Sequence, residues 1–119
     1  MNFYVSGADI TSNYPLNIQG DGLWHHIAAS YDYLTGERFL YFDGNIVASD
    51  ITSTTFQSIN TDFALGLTSW NYVDDYEGLI DEAFVYNKVL SQYEIQQHMN
   101  CPPSGSETGL VGYWNFEEG

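Results

Sequence analysis

At 119 residues the chain has room for one domain with a core of its own and too little for two. Hydrophobic residues at 44% and aromatics at 17% argue against disorder, and the ten Tyr, seven Phe and three Trp favour pleated sheet. Sixteen carboxylates face only Arg38 and Lys88, a formal charge of −14, which excludes nucleic acid and anionic membrane surfaces as partners because phosphate is neutralised by Lys and Arg. Cys101 is the single cysteine, so neither an internal disulfide nor a cysteine metal site is expected. No run approaches the roughly 20 apolar residues of a membrane span, so no membrane insertion is expected. Met1–Val5 lacks the charged start and apolar stretch of a signal peptide.

Taken in chain order, Phe3–Val5 opens the chain as a short strand. Turn signals follow at Gly7, Asn13-Tyr14-Pro15 and Gly20-Asp21-Gly22. Leu23 to Tyr31 reads as a strand whose two alternating sets, Trp24/His26/Ala28/Ser30 and His25/Ile27/Ala29/Tyr31, are of mixed character. That pattern fits a strand covered on both faces. Arg38 to Ser49 reads as a β-hairpin, because Asp43-Gly44 supplies the positive φ angles of a type I′ turn between Phe39–Phe42 and Ile46–Ala48. Further strands are expected at Phe63–Leu67 and Leu79–Tyr86. Ser91 with Glu94 forms a capping box, and Leu90 with Ile95 forms the matching staple, so a helix runs from Gln92 to Met99. It stops at Cys101-Pro102-Pro103, since proline restricts its predecessor and cannot continue a helix. Residues 101–109 read as a linker, and Leu110–Phe116 as another strand. Short strands between closely spaced turns are the mark of an all-β sandwich or barrel.

Three segments carry a resemblance. Trp24-His25-His26-Ile27-Ala28-Ala29-Ser30-Tyr31-Asp32 comes first, then Leu40-Tyr41-Phe42-Asp43-Gly44. The third is Gly78-Leu79-Ile80-Asp81-Glu82-Ala83-Phe84-Val85-Tyr86-Asn87, followed by Leu90-Ser91 and Glu94-Ile95. In this order they resemble the laminin-G-like (concanavalin A-like) jelly-roll domains, relatives of the pentraxins. The resemblance implies an antiparallel jelly-roll β-sandwich with one short C-terminal helix. Gly109 to Gly119 is similar to the family's opening strand. Residues 1–100 then read as a jelly roll lacking its N-terminal strands, 101–109 as a linker, and 110–119 as the first strand of a next repeat or a circularly permuted strand completing this sheet. Such a chain is expected to associate with copies of itself, because open edges and an uncovered apolar face invite pairing. The family setting implies an extracellular or cell-surface location, with the signal upstream of this chain.

Candidate site residues lie within residues 70–75 and at Asp81 just after them. Ser69-Trp70-Asn71-Tyr72 places two aromatic rings beside an amide, so Trp70, Asn71 and Tyr72 are the candidate ligand-binding residues, suited to stacking on a sugar ring and bonding its hydroxyls. The competing reading has Trp70 covering the edge of the core. Asp74, Asp75 and Asp81 are the candidate metal ligands, for a single structural Ca2+ completed by backbone carbonyls. The alternative is a solvated acidic loop in which Asp81 and Glu82 cap backbone amides. In the resembled pentraxins, residues after a Leu-Gly equivalent to Leu65-Gly66 supply much of the calcium coordination. Leu67, Thr68, Ser69 and Trp70 carry no carboxylates there, so a double-calcium site is not expected.

His25 and His26 are not read as a metal pair, because neighbours on a strand point to opposite faces; the resemblance gives His26 a structural role with a buried hydrogen bond. His98, late in the helix, suits the dipole and needs no further role. Glu77-x-x-x-Asp81-Glu82 does not match the carboxylate spacing of glucanases on this fold, and no nucleophile triad, phosphate loop or zinc motif is present. The chain therefore reads as a non-catalytic extracellular binding or adhesion module for glycans or surface proteins. The alternative is a structural spacer repeat with no small ligand, in which the acidity serves solubility.

Overall fold

The computed structural model describes residues 2–5, 8–11, 21–53, 65–66 and 76–117. Among them seven strands, all paired antiparallel, and one helix are formed. β1 (Asn2–Val5) and β2 (Ala8–Thr11) make a hairpin, with Phe3 opposite Ile10. β3 (Ile27–Tyr31), β4 (Glu37–Phe42) and β5 (Asn45–Ile51) form a three-stranded sheet in that order. β6 (Ala83–Tyr86) pairs with β7 (Leu110–Trp114), and α1 (Gln92–Asn100) lies between them in the chain.

The β4–β5 hairpin follows from two residues. Asp43 at φ 47° and Gly44 at φ 71° have the positive angles of a type I′ turn, whose twist matches that of the flanking strands. Beyond the turn, the register slips between Leu40 and Tyr41, leaving Val47 as an extra residue in β5. The strand covered on both faces is β4, with Arg38, Leu40 and Phe42 buried on one side and Tyr41 on the other. This corrects the expectation for residues 23–31. Ladder pairing there begins only at Ile27, and among the described residues β3 borders its sheet with Ile27 and Ala29 exposed. The preceding residues are tied instead by the Asp43 side chain.

The expected strand 79–86 is also shorter. Glu82 sits at φ 52°, a left-handed angle incompatible with continuing a strand, so only Ala83–Tyr86 pairs. Most of the expected strand 63–67 lies outside the described residues; Leu65 and Gly66 form a bend.

The helix starts as its sequence dictates. Ser91 Oγ accepts the Glu94 N–H, and the Glu94 carboxylate accepts the Ser91 N–H in return, satisfying two donors that the first turn leaves without partners. Leu90 and Ile95 are both buried and, with Tyr41, centre the core, against which Ala28, Phe39 and Tyr86 pack. A second link joins helix to hairpin: the Gln92 and Gln96 side-chain amides both donate to the Gly44 carbonyl, at 2.9 and 3.0 Å. Cys101, extended and exposed, closes the helix by donating its N–H to Gln97 O.

Residues 101–109 are organised by one carboxylate. Glu107 accepts the Ser104 and Gly105 N–H groups and the Ser104 hydroxyl, and Pro103 is buried. Asn87 N–H then donates to Gly109 O, which delivers β7 to β6.

Candidate binding surface and its surroundings

Of the six candidate site residues, Trp70, Asn71, Tyr72, Asp74 and Asp75 lie outside the described residues. The stem that carries them is described. Tyr76 N–H donates to Gly66 O at 2.7 Å, so the chain leaves at Gly66 and returns at Tyr76. Ile80 and Tyr76 crowd Gly66, where a Cβ would stand 3.3 Å from Ile80 Cδ1 on a residue already at φ 77°. Tyr76 and Leu79 face solvent on this stem, Leu79 at 76% exposure.

Asp81 is exposed and its Oδ1 accepts the neighbouring Glu82 N–H at 2.9 Å. Glu82 accepts the Tyr113 hydroxyl on β7, and that bond pushes the phenol up to about 12. The two carboxylates thus stand at the start of β6, one turned to its own backbone and the other pinning the last strand. Among the described residues no three His, Cys, Asp or Glu side chains form a group able to hold a metal ion.

The histidines are placed differently from each other. His25 lies between two carboxylates, its Nδ1 2.9 Å from Asp43 Oδ2 and its Nε2 3.0 Å from Asp21 Oδ2. Its ring stacks on Phe42, with centroids 4.8 Å apart. These bonds to Asp43 and then Asp21 raise its pKa above the ordinary 6.5. When both nitrogens carry protons to these carboxylates, the ring has no lone pair for a metal. Asp43 is the hub: its Oδ1 accepts the His26 N–H and its own N–H donates to His26 O.

His26 enters the core beside Phe84, and burial lowers its pKa, so it is neutral at pH 7. Its Nδ1 is buried with no partner among the described residues, where the family likeness led us to expect a hydrogen bond. His98 does more than favour the helix dipole: its Nε2 lies 3.1 Å from the Tyr86 hydroxyl, and its ring packs on Phe84.

Two concavities adjoin these residues. The larger, about 2210 Å3, runs between β3 and residues 76–90. That is more than twice an ordinary small-molecule pocket, and its walls include the core residues Leu90 and Ile95, so it is not read as a ligand site. The smaller, about 400 Å3, lies among Trp24, His25, Asp43, Asp81, Glu82 and Met99. Trp24 stands at its rim, 65% exposed.

Neither cation is left to offset the surface acidity. Arg38 is buried and forks onto Asp50 at 2.8 and 2.5 Å, and Lys88 contacts Glu94 at 3.1 Å.

Antiparallel sheets with one short helix among the described residues are consistent with a concanavalin A-like domain. The family model described as the concanavalin A-like lectin/glucanases superfamily matches residues 1–96, and the chain belongs to that superfamily. Its fold is accordingly the all-β antiparallel jelly-roll sandwich of that class. The rat protein "Sushi, von Willebrand factor type A, EGF and pentraxin domain-containing protein 1" is 26% identical over 125 residues, covering 98% of this chain. The chain spans 4% of that relative's length. No solved structure gives a significant match. No helix among the described residues is long and apolar enough to cross a membrane.

Proposed function

We propose that the chain is a non-catalytic binding module of a multidomain extracellular or surface protein, contacting glycans or surface proteins through Trp70, Asn71 and Tyr72, in the sequence between Gly66 and Tyr76. The observation that carries this reading is the stem itself. In a chain of the lectin superfamily, the bond from Tyr76 N–H to Gly66 O closes the two ends of the sequence that contains Trp70, Asn71 and Tyr72, and Tyr76 and Leu79 are exposed beside it. The rat relative, in which a segment of this kind makes up a small part of a protein named for several domain types, supports a modular setting.

Calcium belongs to the same proposal. Asp74, Asp75 and Asp81 would share one ion with backbone carbonyls, a donor set of hard oxygens suited to Ca2+. Asp81 is exposed and uses one carboxylate oxygen on the Glu82 N–H, which leaves the other for an ion. The test is a thermal melt in EDTA and in millimolar Ca2+. An ion that binds only the folded chain adds about 2.7 kcal/mol at a hundredfold excess over its dissociation constant. The proposal expects a rise in melting temperature that Asp81→Asn removes, since asparagine keeps the amide contact and loses the charge. Equal melts in both buffers refute the calcium part.

The spacer reading has one observation in its favour. Arg38 and Lys88 are each paired with a carboxylate in a chain of formal charge −14, and such net acidity suits a repeat that must stay apart from its neighbours.

A further inference from the structure

The bonds around His25 tie together three pieces of chain. Asp21 belongs to the bend that precedes β3, His25 lies four residues on, and Asp43 is the first residue of the β4–β5 turn. Asp43 is fixed independently of His25, by its exchange of bonds with the His26 backbone and by the turn. Asp21 is held otherwise by the Leu23 N–H at 2.9 Å. A neutral imidazole carries one proton, so it cannot donate to two carboxylates at once. Its second nitrogen would then turn a lone pair toward a carboxylate oxygen about 3 Å away. Phe42, stacked on the ring, adds a preference for the cation.

We propose that His25 is a pH-operated clasp: as the imidazolium it locks residues 21–24 onto the β4–β5 turn, and on losing a proton it releases Asp21 and with it the Trp24 rim of the smaller concavity. The charged and titratable groups around it are few. Asp21 faces it from its own segment and Asp43 from the turn. His26, the next residue, is buried and neutral, and Asp81 and Glu82 line the opposite wall of the concavity. Every charged neighbour is therefore acidic and favours the protonated ring. The sign follows. A folded-state pKa above the unfolded value of about 6.5 means that the clasp is complete below pH 6.5 and opens as pH rises through the folded value. Because Asp21 is the less anchored partner, the opening is local and leaves the Asp43 hub and the hairpin in place. This inference stands apart from the ligand reading, since it concerns none of the residues in the loop from 67 to 75.

The test is an NMR titration of the isotope-labelled 119-residue chain from pH 5 to 9. It follows the assigned Cε1–H signals of the three histidines and the Trp24 indole N–H, with the β4–β5 amides as a control for the fold. His25 is expected to show a midpoint above 6.5 and above that of His26, and the Trp24 signal to move with the His25 midpoint. In Asp21→Asn the His25 midpoint should fall toward 6.5 and the Trp24 signal should cease to follow it. A wild-type His25 midpoint at or below 6.5 overturns the proposal, as does a Trp24 signal indifferent to it or an unchanged midpoint in Asp21→Asn.

Discussion

Replacing Asp50 with alanine takes a carboxylate partner from a buried cation. Arg38 is 2% exposed, and its guanidinium forks onto Asp50 through Nε and Nη2. Removing one partner of a buried pair costs about 3–5 kcal/mol, because the remaining charge keeps its desolvation penalty and loses the compensation of that partner. The Asp50 side chain is 39% exposed, so water already screens part of the pair, and the lower end of the range, about 3 kcal/mol, applies. At roughly 3–5 °C per kcal/mol for a domain of this size, the melting temperature falls by about 10–15 °C. The mirror variant is the informative control. Arg38→Met takes the charge out with the side chain, keeps most of the apolar bulk and leaves Asp50 facing water, so it costs less, about 1–2 kcal/mol. Urea unfolding followed by circular dichroism gives both values on one scale. The reasoning fails if Asp50→Ala costs under about 1 kcal/mol, or if Arg38→Met costs as much as Asp50→Ala.

Gly36 stands at φ 77°, and a Cβ there would sit 2.2 Å from the Thr52 carbonyl oxygen, so Gly36→Ala should cost about 2–4 kcal/mol in the same assay; a loss under about 0.5 kcal/mol would contradict that geometry. Hydrogen bonds from the Ser91 backbone hold Glu94 at about 2, and those from Ser104 hold Glu107 at about 2, both down from 4.5. Their contribution is complete above pH 4.5 and disappears as pH falls through about 2, so the Ser91, Ser104 and Gly105 amide signals should shift with midpoints near 2 rather than 4.5. Leu23, Trp24, Ile27 and Leu79 are exposed around one concavity and β3 borders its sheet among the described residues, so we propose that the chain associates with itself. Light scattering should give a mass above the 13.5 kDa monomer, and a monodisperse monomer contradicts this.

What the sequence made legible was local. Asp43-Gly44 announces its turn because only a few residue types accept two successive positive φ angles, and Ser91 with Glu94 announces its helix because both partners of the cap lie within four residues. The family motifs supplied the sandwich that local rules alone left beside a barrel. What escaped was long-range. Nothing near His25 in the sequence indicates that Asp43, 18 positions away, closes a bridge around it. Strand 79–86 reads as continuous because Leu79 and Ile80 are good strand formers, yet Glu82 takes a left-handed angle and its carboxylate reaches Tyr113, 31 positions on. Residues 101–109 look like a flexible linker by composition, but Glu107 gathers three donors from Ser104 and Gly105. The candidate ligand residues were legible as chemistry, an aromatic pair beside an amide, and of their surroundings only the stem at Gly66 and Tyr76 and the neighbouring Asp81 fall within the described residues.

The most direct measurement is binding itself: the wild-type chain and Trp70→Ala screened side by side on a glycan array and on a panel of extracellular matrix proteins. The account predicts saturable binding to a restricted set of ligands, weakened at least tenfold by Trp70→Ala while the melting temperature stays within a few degrees of wild type. No saturable binding to either panel, or binding that Trp70→Ala leaves untouched, would contradict it, and the first of these outcomes would leave the acidic spacer as the better description.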